Sequence, residues 1–213
     1  MEDSFKHKGM RQQLVATIKE KGITDKAVLK AIGNIPRHLF MDSSFIDHAY
    51  QDKAFPIAAG QTISQPFTVA FQTELLNVSK GSKILEIGTG SGYQVAVLIE
   101  MGAKVYTIER QQTLFKITQK FLPKIGYRPK KQIFGDGYKG LPDEAPFDGI
   151  IVTAGAPFVP KPLLSQLVIG GRMVIPVGED SQVMTMYERT SEQNFEKSEH
   201  GHFRFVPLLE DKN

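Results

Sequence analysis

The sequence contains no cysteine, and this absence excludes several kinds of chemistry at once. Disulfide bonds, thiolate nucleophiles and cysteine-ligated metal sites all require that residue. Long apolar runs are missing too, since no stretch approaches the roughly 18 residues that a membrane-spanning helix requires. The first residues, Met1-Glu2-Asp3-Ser4, carry acid where a signal peptide carries base. We therefore expect a cytoplasmic protein without a membrane partner.

The chain also lacks a strong excess of charge of either sign. Its formal net charge is +3 over 213 residues, and its most basic run, Arg128-Pro129-Lys130-Lys131, is short and interrupted by proline. We interpret this run as a solvated loop and expect no nucleic-acid partner, because nucleic-acid binding requires a basic face. The composition, with 41% hydrophobic and 23% charged residues, is typical of a folded protein.

The length favours a single domain, which we divide into residues 1–66 and residues 67–213. The first part holds N-terminal helices and an active-site loop. Apolar spacing predicts one helix over residues 5–20 and a second one that Thr24 caps. Residues 35–66 form a long irregular segment rich in apolar side chains, which in a compact domain is typical of a functional loop. A third helix is predicted from Pro66 to about Asn77, with proline in its first turn.

The second part alternates between strand and helix patterns. Strands are predicted at Lys83–Ile87, Lys104–Ile108, Lys131–Phe134, Phe147–Thr153 and Arg172–Val177, and helices at Tyr93–Met101, Gln111–Leu122 and Pro162–Leu167. This alternation predicts an α/β fold with a mainly parallel sheet and helices on both faces. No helix pattern separates Gln182–Glu188 from His202–Leu208, so we expect an antiparallel pair of strands to finish the sheet.

A glycine-rich turn follows the first of these core strands. Gly88-Thr89-Gly90-Ser91-Gly92 lies between the strand and the helix that begins at Tyr93. Glycines let the backbone adopt positive φ and approach a ligand closely, which indicates a nucleotide-like ligand. Tyr93 stands where a dinucleotide-binding fingerprint has its third glycine, so a pyrophosphate is not the favoured ligand. A tight turn without a ligand is the alternative.

Acidic residues follow at the ends of neighbouring strands. Glu109 lies about 20 residues after the first glycine, where a carboxylate binds both hydroxyls of a ribose. Asp136 is placed to accept the amine of an adenine, although a purely turn-forming role stays open. Glu86 is placed to influence the ammonium of a methionine moiety, directly or through water. NAD and S-adenosyl-L-methionine share the ribose, so Glu109 alone does not distinguish these ligands.

Several motifs give the chain a resemblance to a known family over nearly its whole length. They are I-P-R-H-L-F at 35–40, G-Q-T-I-S-Q-P at 60–66, L-E-I-G-T-G-S-G-Y at 85–93, I-E-R at 108–110, G-D-G at 135–137, A-P-F-D-G-I-I-V-T at 145–153, G-G-R-M-V-I-P-V-G at 170–178 and F-V-P-L at 205–208. The chain resembles the protein-L-isoaspartate (D-aspartate) O-methyltransferase family. The glycine turn is shared by many methyltransferases, whereas G-Q-T-I-S-Q-P followed by that turn is specific to this family.

The resemblance implies a Rossmann-like methyltransferase fold and S-adenosyl-L-methionine as cofactor, with S-adenosyl-L-homocysteine as product. It makes Ser64 the active-site serine and implies that residues 61–65 close over the cofactor. The cofactor-binding residues that we assign are Thr62, Ile63, Glu86, Gly88, Thr89, Gly90, Ser91, Gly92, Glu109, Arg110, Asp136 and Gly137. The implied reaction methylates the carboxylate of L-isoaspartyl residues in damaged proteins or peptides, which initiates their repair, and D-aspartyl residues stay an open alternative.

The chemistry of that reaction agrees with the residues present. A side-chain carboxylate has an ordinary pKa of roughly 4, so at neutral pH it is already a nucleophile and needs no general base. We expect Ser64 to orient the carboxylate by a hydrogen bond, and a cap of the helix after Pro66 is the alternative role. A substrate peptide could pair with main chain near Val206 and Leu208, unless these residues form a buried terminal strand.

The remaining expectations concern metals, assembly and competing functions. We assign no metal site, since His38 and His48 have no ligand at suitable spacing, and we expect a monomer. An NAD-dependent oxidoreductase would need the glycine that Tyr93 replaces. A methyltransferase with another acceptor would lack G-Q-T-I-S-Q-P, and a silent S-adenosylmethionine-binding module would have no need of that loop.

Overall fold

A computed structural model describes residues 3–211; Met1 and Glu2 of the acidic N-terminus, and residues 212–213, lie outside the described range. The helices are α1 (Phe5–Glu20), α2 (Lys26–Asn34), α3 (Pro66–Leu76), α4 (Tyr93–Glu100), α5 (Gln112–Lys124) and α6 (Lys161–Ser165). The strands are β1 (Phe55–Pro56), β2 (Thr62–Ile63), β3 (Lys83–Ile87), β4 (Lys104–Glu109), β5 (Lys131–Phe134), β6 (Phe147–Val152), β7 (Leu167–Val177), β8 (Gln182–Arg189) and β9 (Phe195–Phe203).

The main sheet confirms the predicted α/β fold. Its strand order is β5-β4-β3-β6-β7-β8-β9. The five strands from β3 to β7 run parallel, and β8 and β9 complete the sheet in antiparallel pairing. The carboxyl ends of β3, β4 and β5 therefore meet at one edge, where sheets of this kind bind ligands.

Both faces of the sheet are covered, because successive side chains of β3 pack into two apolar clusters on opposite faces. Ile84 packs with the N-terminal helices, α3 and α4, whereas Leu85 and Ile87 pack on the opposite face with Leu163 of α6. Side chains of successive strand residues point to opposite faces, so a strand buried on both sides has to be apolar throughout. Glu86 is the exception in β3, and it is fully buried.

The N-terminal part contains one correction. Thr24 does not cap α2: Asp25 does, and its Oδ1 accepts the N–H groups of Ala27 at 2.7 Å and Val28 at 3.2 Å. Thr24 instead donates its N–H and hydroxyl to Glu74 Oε1 of α3, at 2.8 and 3.0 Å. Both residue types cap helices well, and this tertiary contact decides which of them does so here.

The irregular segment 35–66 is ordered around short elements. Two 3₁₀ helices, Arg37–Phe40 and Ser43–His48, precede a hairpin in which β1 pairs with β2. The turn of this hairpin contains Ala59 and Gly60 with φ of 57° and 64°. The hairpin places the residues after β2 beside the glycine turn of the core.

The last predicted strand is wrong in position. It spans Phe195–Phe203 and not His202–Leu208. After Phe203 the chain leaves the sheet, because the side chain of Gln182 accepts the N–H of Phe205 at 2.9 Å in place of a strand partner. Within residues 3–211 no helix is long and apolar enough to cross a membrane.

Candidate active site

A cleft of about 890 Å³, including space open to solvent, lies at the carboxyl ends of β3 and β4. Most of the predicted site residues line it, namely Thr62, Ile63, Ser64, Gly88, Thr89, Gly90, Ser91, Glu109, Arg110, Gly137, Val206 and Leu208. They come from five separate parts of the chain: the hairpin, the turn after β3, the end of β4, the segment after β5, and the C-terminal segment. The fold thus brings together the motifs that the sequence predicted to cooperate.

The glycine turn has its shape because a side chain would not fit there. Gly88 has φ of +98°, and a Cβ at this position would lie 2.6 Å from Thr153 Oγ1. The Thr153 hydroxyl donates to the carbonyl of Gly88 at 2.8 Å and so fixes the turn from the side of β6. Gly90 also has positive φ, +54°. The backbone of the turn consequently forms a bare floor to the cleft.

Gly92 was assigned to the cofactor, but it lies outside the cleft lining. It stands at the N-cap of α4 with φ of +83°, and a Cβ there would lie 2.8 Å from Leu122 Cδ2 of α5. Gly92 therefore allows the close helix packing that the third glycine serves in a dinucleotide fingerprint.

Glu109 is the acidic wall of the cleft. Its Oε2 accepts the N–H of Gly90 and its Oε1 accepts the N–H of Gln111, both at 2.8 Å. Burial raises the pKa of Glu109, and the backbone N–H groups of Gln111 and Gly90 oppose that rise. Each carboxylate oxygen keeps a further lone pair, so the two oxygens can accept two neighbouring hydroxyls of a ribose.

Glu86 is fully buried and is not among the residues that line the cleft, so its predicted contact with an ammonium, direct or through water, stays a prediction. The Thr107 hydroxyl donates to Glu86 Oε2 at 2.6 Å, and Thr107 Oγ1 lies 2.6 Å from the hydroxyl oxygen of Thr89. The other carboxylate oxygen is buried without a partner. Burial raises the pKa of Glu86 well above its ordinary range. The hydroxyls of Thr107 and Thr89 link one carboxylate oxygen of Glu86 to the cleft, because Thr89 lines it.

Asp136 also lies outside the lining. Its two neighbours, Gly135 and Gly137, both line the cleft. Its Oδ1 accepts the N–H of Tyr138 at 2.9 Å and so begins the 3₁₀ helix Gly137–Lys139. A Cβ on Gly137 would overlap Ile87 Cγ2, so glycine is required there. The turn-forming role of Asp136 is present in the structure, and its contact with an adenine amine stays a prediction.

Ser64 follows β2 and faces the cleft. Its hydroxyl has no hydrogen-bond partner among residues 3–211. The alternative role as a helix cap is wrong, because α3 has no side-chain cap from its N-cap residue Gln65. The carboxylate of Asp52 serves the helix end instead, by accepting the N–H of Phe67 at 2.8 Å. The Ser64 hydroxyl is therefore free to donate to a bound acceptor.

Val206 and Leu208 line the cleft, but part of their main chain is already paired. Gly155 donates its N–H to the carbonyl of Val206 at 2.8 Å and accepts the N–H of Leu208 at 2.7 Å. The hydroxyl of Tyr138 donates to the carbonyl of Leu208. A substrate peptide could pair only with the main-chain groups that Gly155 and Tyr138 leave free, so the predicted strand addition stays a prediction.

The cleft residues that the sequence did not predict include Tyr93 and Gln94 at the start of α4. Gln94 donates to Thr73 Oγ1 at 3.0 Å, and its Oε1 is buried with no partner. An unpartnered amide oxygen in a cleft fits a ligand that donates hydrogen bonds, as an ammonium does. The sequence signal for Gln94 is that it is a polar residue in the first turn of an otherwise largely apolar helix, just after the glycine turn. Together with Glu109, it fits the ribose and the ammonium of S-adenosylmethionine.

The fold also gathers Asp3, His7 and His38, whose potential ligand atoms lie within 4.8 Å of one another. Sequence spacing gave no sign of this group. Arg11 already binds both carboxylate oxygens of Asp3, at 3.0 and 2.9 Å. His38 lies 2.7 Å from the hydroxyl of Tyr50 through its Nδ1. His38 is fully buried, and its contact with Tyr50 gives one ring nitrogen a partner.

Comparison with known proteins agrees with the site. The sequence model of the family described as protein-L-isoaspartate(D-aspartate) O-methyltransferase (PCMT) matches residues 9–213. The chain is 70% identical over 213 residues to the protein-L-isoaspartate O-methyltransferase of Christiangramia forsetii and 69% identical to that of Flavobacterium johnsoniae. Each of these alignments covers all of both chains.

Solved structures give the same result at lower identity. A protein-L-isoaspartate O-methyltransferase is 28% identical, with a TM-score of 0.84 over 92% of this chain and 65% of the other. A structure from Plasmodium falciparum, described as a beta-aspartate methyltransferase (PCMT) in complex with S-adenosyl-L-homocysteine, is 27% identical. Its TM-score is 0.79 over 93% of this chain and 98% of the other. The chain belongs to the protein-L-isoaspartate(D-aspartate) O-methyltransferase family.

Proposed function

We propose that this chain transfers a methyl group from S-adenosylmethionine to the carboxylate of L-isoaspartyl residues in proteins and peptides, with Ser64 orienting the carboxylate. The observation that carries the proposal is the position of Ser64: its free hydroxyl faces the cleft that Glu109 and the glycine turn also line. Family membership supports the reaction, and the loop geometry supports the role of the serine.

The residues of the cleft suit a reaction that needs alignment more than proton transfer. When bound, S-adenosylmethionine supplies an activated methyl group on a sulfonium. The acceptor carboxylate is ionised at neutral pH, so the protein has to hold it in line with the methyl carbon and exclude water. Such positioning contributes about 7 to 11 kcal/mol in well-aligned systems. Among residues 3–211 no base hydrogen-bonds the Ser64 hydroxyl, which agrees with a positioning role rather than a nucleophilic one.

Each part of the cleft has a separate task in this proposal. Glu109 holds the ribose, and Gln94 Oε1 accepts from the ammonium of the methionine moiety. Gly88 and Gly90 present bare backbone to the cofactor. Ser64 donates to one oxygen of the isoaspartyl carboxylate, and the other oxygen attacks the methyl group. Transfer neutralises the carboxylate and the sulfonium together, so a dry cleft favours the product state.

The experiment that tests the proposal compares two synthetic peptides. They are identical except that one carries L-isoaspartate where the other carries L-aspartate, and both receive labelled S-adenosylmethionine. We expect label only in the isoaspartyl peptide and its release as methanol in mild base, which identifies a carboxyl methyl ester. If neither peptide were labelled while cofactor binding was intact, another acceptor or a silent binding module would be favoured.

Three finer statements belong to the proposal. A peptide carrying D-aspartate tests whether that isomer is also an acceptor. Sedimentation equilibrium tests the predicted monomer, since a mass above that of one chain would contradict it. Cell fractionation with a tagged chain tests the predicted cytoplasmic location.

A further inference from the structure

Asp52 lies outside the cleft, yet it binds the two residues on either side of Pro66, directly after Ser64. Its Oδ2 accepts from Gln65 Nε2 at 3.0 Å, and its Oδ1 accepts the N–H of Phe67 at 2.8 Å. Gln65 Nε2 also donates to the backbone carbonyl of Asp52, at 3.1 Å. Three hydrogen bonds thus tie one aspartate to the two residues that flank Pro66.

The site of Asp52 is built to hold a carboxylate. Its side chain is only 7% exposed, and Lys21 Nζ lies 2.5 Å from Oδ2. A buried carboxylate requires hydrogen bonds to both oxygens, and here each oxygen has at least one donor. Hydrogen bonds to an ionised acceptor are roughly twice as strong as those between neutral groups. The contacts are therefore suited to fixing a loop.

The backbone that carries Asp52 is fixed in turn by Arg37. This side chain is fully buried; its Nε donates to the carbonyl of Ala49 at 3.0 Å and its Nη2 donates to that of Lys53 at 3.3 Å. The two carbonyls lie on either side of Asp52 in the sequence. The guanidinium also lies 4.8 Å from the centre of the Tyr93 ring, and Tyr93 lines the cleft.

The placement of the Ser64 hydroxyl relies on the backbone around it. Its hydroxyl has no partner among the described residues, and the next residue, Gln65, contributes no cap to α3. Pro66 restricts Gln65 to an extended backbone, with φ of −54° and ψ of 134°. The pairing of Ile63 with Phe55 holds the chain before Ser64, and the contacts of Asp52 with Gln65 and Phe67 hold it after Ser64.

We propose that Asp52 is a positioning residue for catalysis, which holds the Ser64 loop in its transfer-competent place by binding Gln65 and Phe67. The inference rests on the proposed role of Ser64 and deepens it. Asp52 is not among the residues that line the cleft. Its effect on the reaction passes through the orientation of one hydroxyl.

The test is a mutant cycle in the full chain. Asp52→Ala is combined with Ser64→Ala, and kcat and KM for the isoaspartyl peptide are measured for all four proteins. We expect Asp52→Ala to lower kcat by an order of ten or more, since small misplacements at a reacting centre have effects of this size. In the Ser64→Ala background the same substitution should change kcat by less than about twofold. A merely structural role would lower kcat by the same factor in both backgrounds.

A control variant and a second variant of the same contact accompany this test. Asp47→Ala removes an aspartate whose side chain is 86% exposed, and we expect wild-type kcat for it. Gln65→Ala removes the two hydrogen bonds between Gln65 Nε2 and Asp52 and keeps the one from Phe67, so it enters the same cycle if Asp52→Ala does not fold by circular dichroism. Calorimetry with S-adenosyl-L-homocysteine shows whether cofactor affinity is retained.

The outcomes separate this inference from the proposed function. Wild-type kcat in both Asp52→Ala and Gln65→Ala, or equal losses with and without Ser64, would overturn the positioning role while leaving the enzyme's reaction intact. A wild-type protein that does not methylate the isoaspartyl peptide would overturn the proposed function and the role of Asp52 with it.

Discussion

Glu109 Oε2 accepts the N–H of Gly90 at 2.8 Å, so the acid that we propose binds the ribose is joined directly to the glycine turn of the cleft. Changing either residue should therefore disturb both. This link makes Glu109 the position where cofactor affinity can be altered without touching the acceptor end of the cleft.

Glu109→Ala should weaken cofactor binding before it slows the chemical step. The substitution removes two acceptors of backbone N–H groups and the acceptors for the ribose hydroxyls. Hydrogen bonds to charged groups are worth about 1.5 to 3 kcal/mol each, so the loss of two of them should weaken binding by roughly 100-fold or more. Calorimetry with S-adenosyl-L-homocysteine measures this, with the exposed Glu196→Ala as control. Unchanged affinity would remove Glu109 from the cofactor site.

Ser64→Ala should have the opposite profile. Cofactor affinity should stay within about twofold, because one hydrogen bond to the acceptor is lost and no cofactor contact of Glu109 changes. We expect kcat for the isoaspartyl peptide to fall by an order of ten, which corresponds to about 1.4 kcal/mol. Initial rates at saturating cofactor give the result. If both substitutions reduced only cofactor binding, Ser64 would lose its assigned role.

Glu86→Gln should stabilise the protein more at high pH than at low pH. Burial holds the pKa of Glu86 well above 4.5, so the folded state keeps a proton that the unfolded state releases. This contribution is complete below about pH 4.5 and is lost as pH rises through the folded pKa. Glutamine mimics the protonated acid at every pH. Urea unfolding at pH 5 and pH 8 should show a larger gain for the variant at pH 8, whereas equal gains would show that Glu86 is not protonated.

His38 should make the protein sensitive to acid. Burial, with a smaller contribution from nearby His7, lowers its pKa from 6.5 to about 4. The unfolded chain then binds a proton that the folded chain refuses, so stability is lost as pH falls from about 6.5 towards 4. His38→Asn should flatten the decline of the unfolding free energy over this range. The exposed His48→Asn is the control, and equally steep profiles for wild type and His38→Asn would contradict the account.

Gly92→Ala should lower the free energy of unfolding in two ways: by the backbone strain of a positive φ and by a clash of the new Cβ with Leu122. Gly92 and Gly170 both have φ of +83°, but a Cβ lies 2.8 Å from Leu122 only at Gly92, and meets nothing within 4 Å at Gly170. Gly170→Ala thus measures the strain alone. We expect Gly92→Ala to cost about 1 to 3 kcal/mol more, as overpacking does. Equal losses in urea unfolding would show that Leu122 moves aside without penalty.

Local patterns in the sequence were sufficient for the elements that local interactions determine. The first helix was predicted at residues 5–20 and spans Phe5–Glu20, because Ser4 caps it and its apolar residues follow helical spacing. The glycine turn and Glu109 were found because the spacing between them is set by one strand, one helix and the next strand. Their meeting in one cleft follows from the parallel order of β3 and β4.

The sequence was insufficient where a distant partner decides. Gln182 draws Phe205 out of the sheet, and no local pattern distinguishes residues 204–208 from a strand. The hydroxyl that donates to Glu86 belongs to Thr107 of the neighbouring strand, 21 residues away in the sequence. The contact between Asp52 and Gln65 spans the whole hairpin, so the cap of α3 was sought at Ser64, next to the helix, and not at Asp52.

The most direct test of the central claim locates the transferred methyl group. A single peptide is prepared with one L-isoaspartyl residue, one L-aspartyl residue and a free C-terminal carboxylate, and it is incubated with the chain and S-adenosylmethionine. Tandem mass spectrometry then assigns the methyl group to a residue. The account predicts one methyl ester on the isoaspartyl carboxylate alone, whereas a methyl group on the aspartyl side chain, the C-terminus or any nitrogen would contradict it.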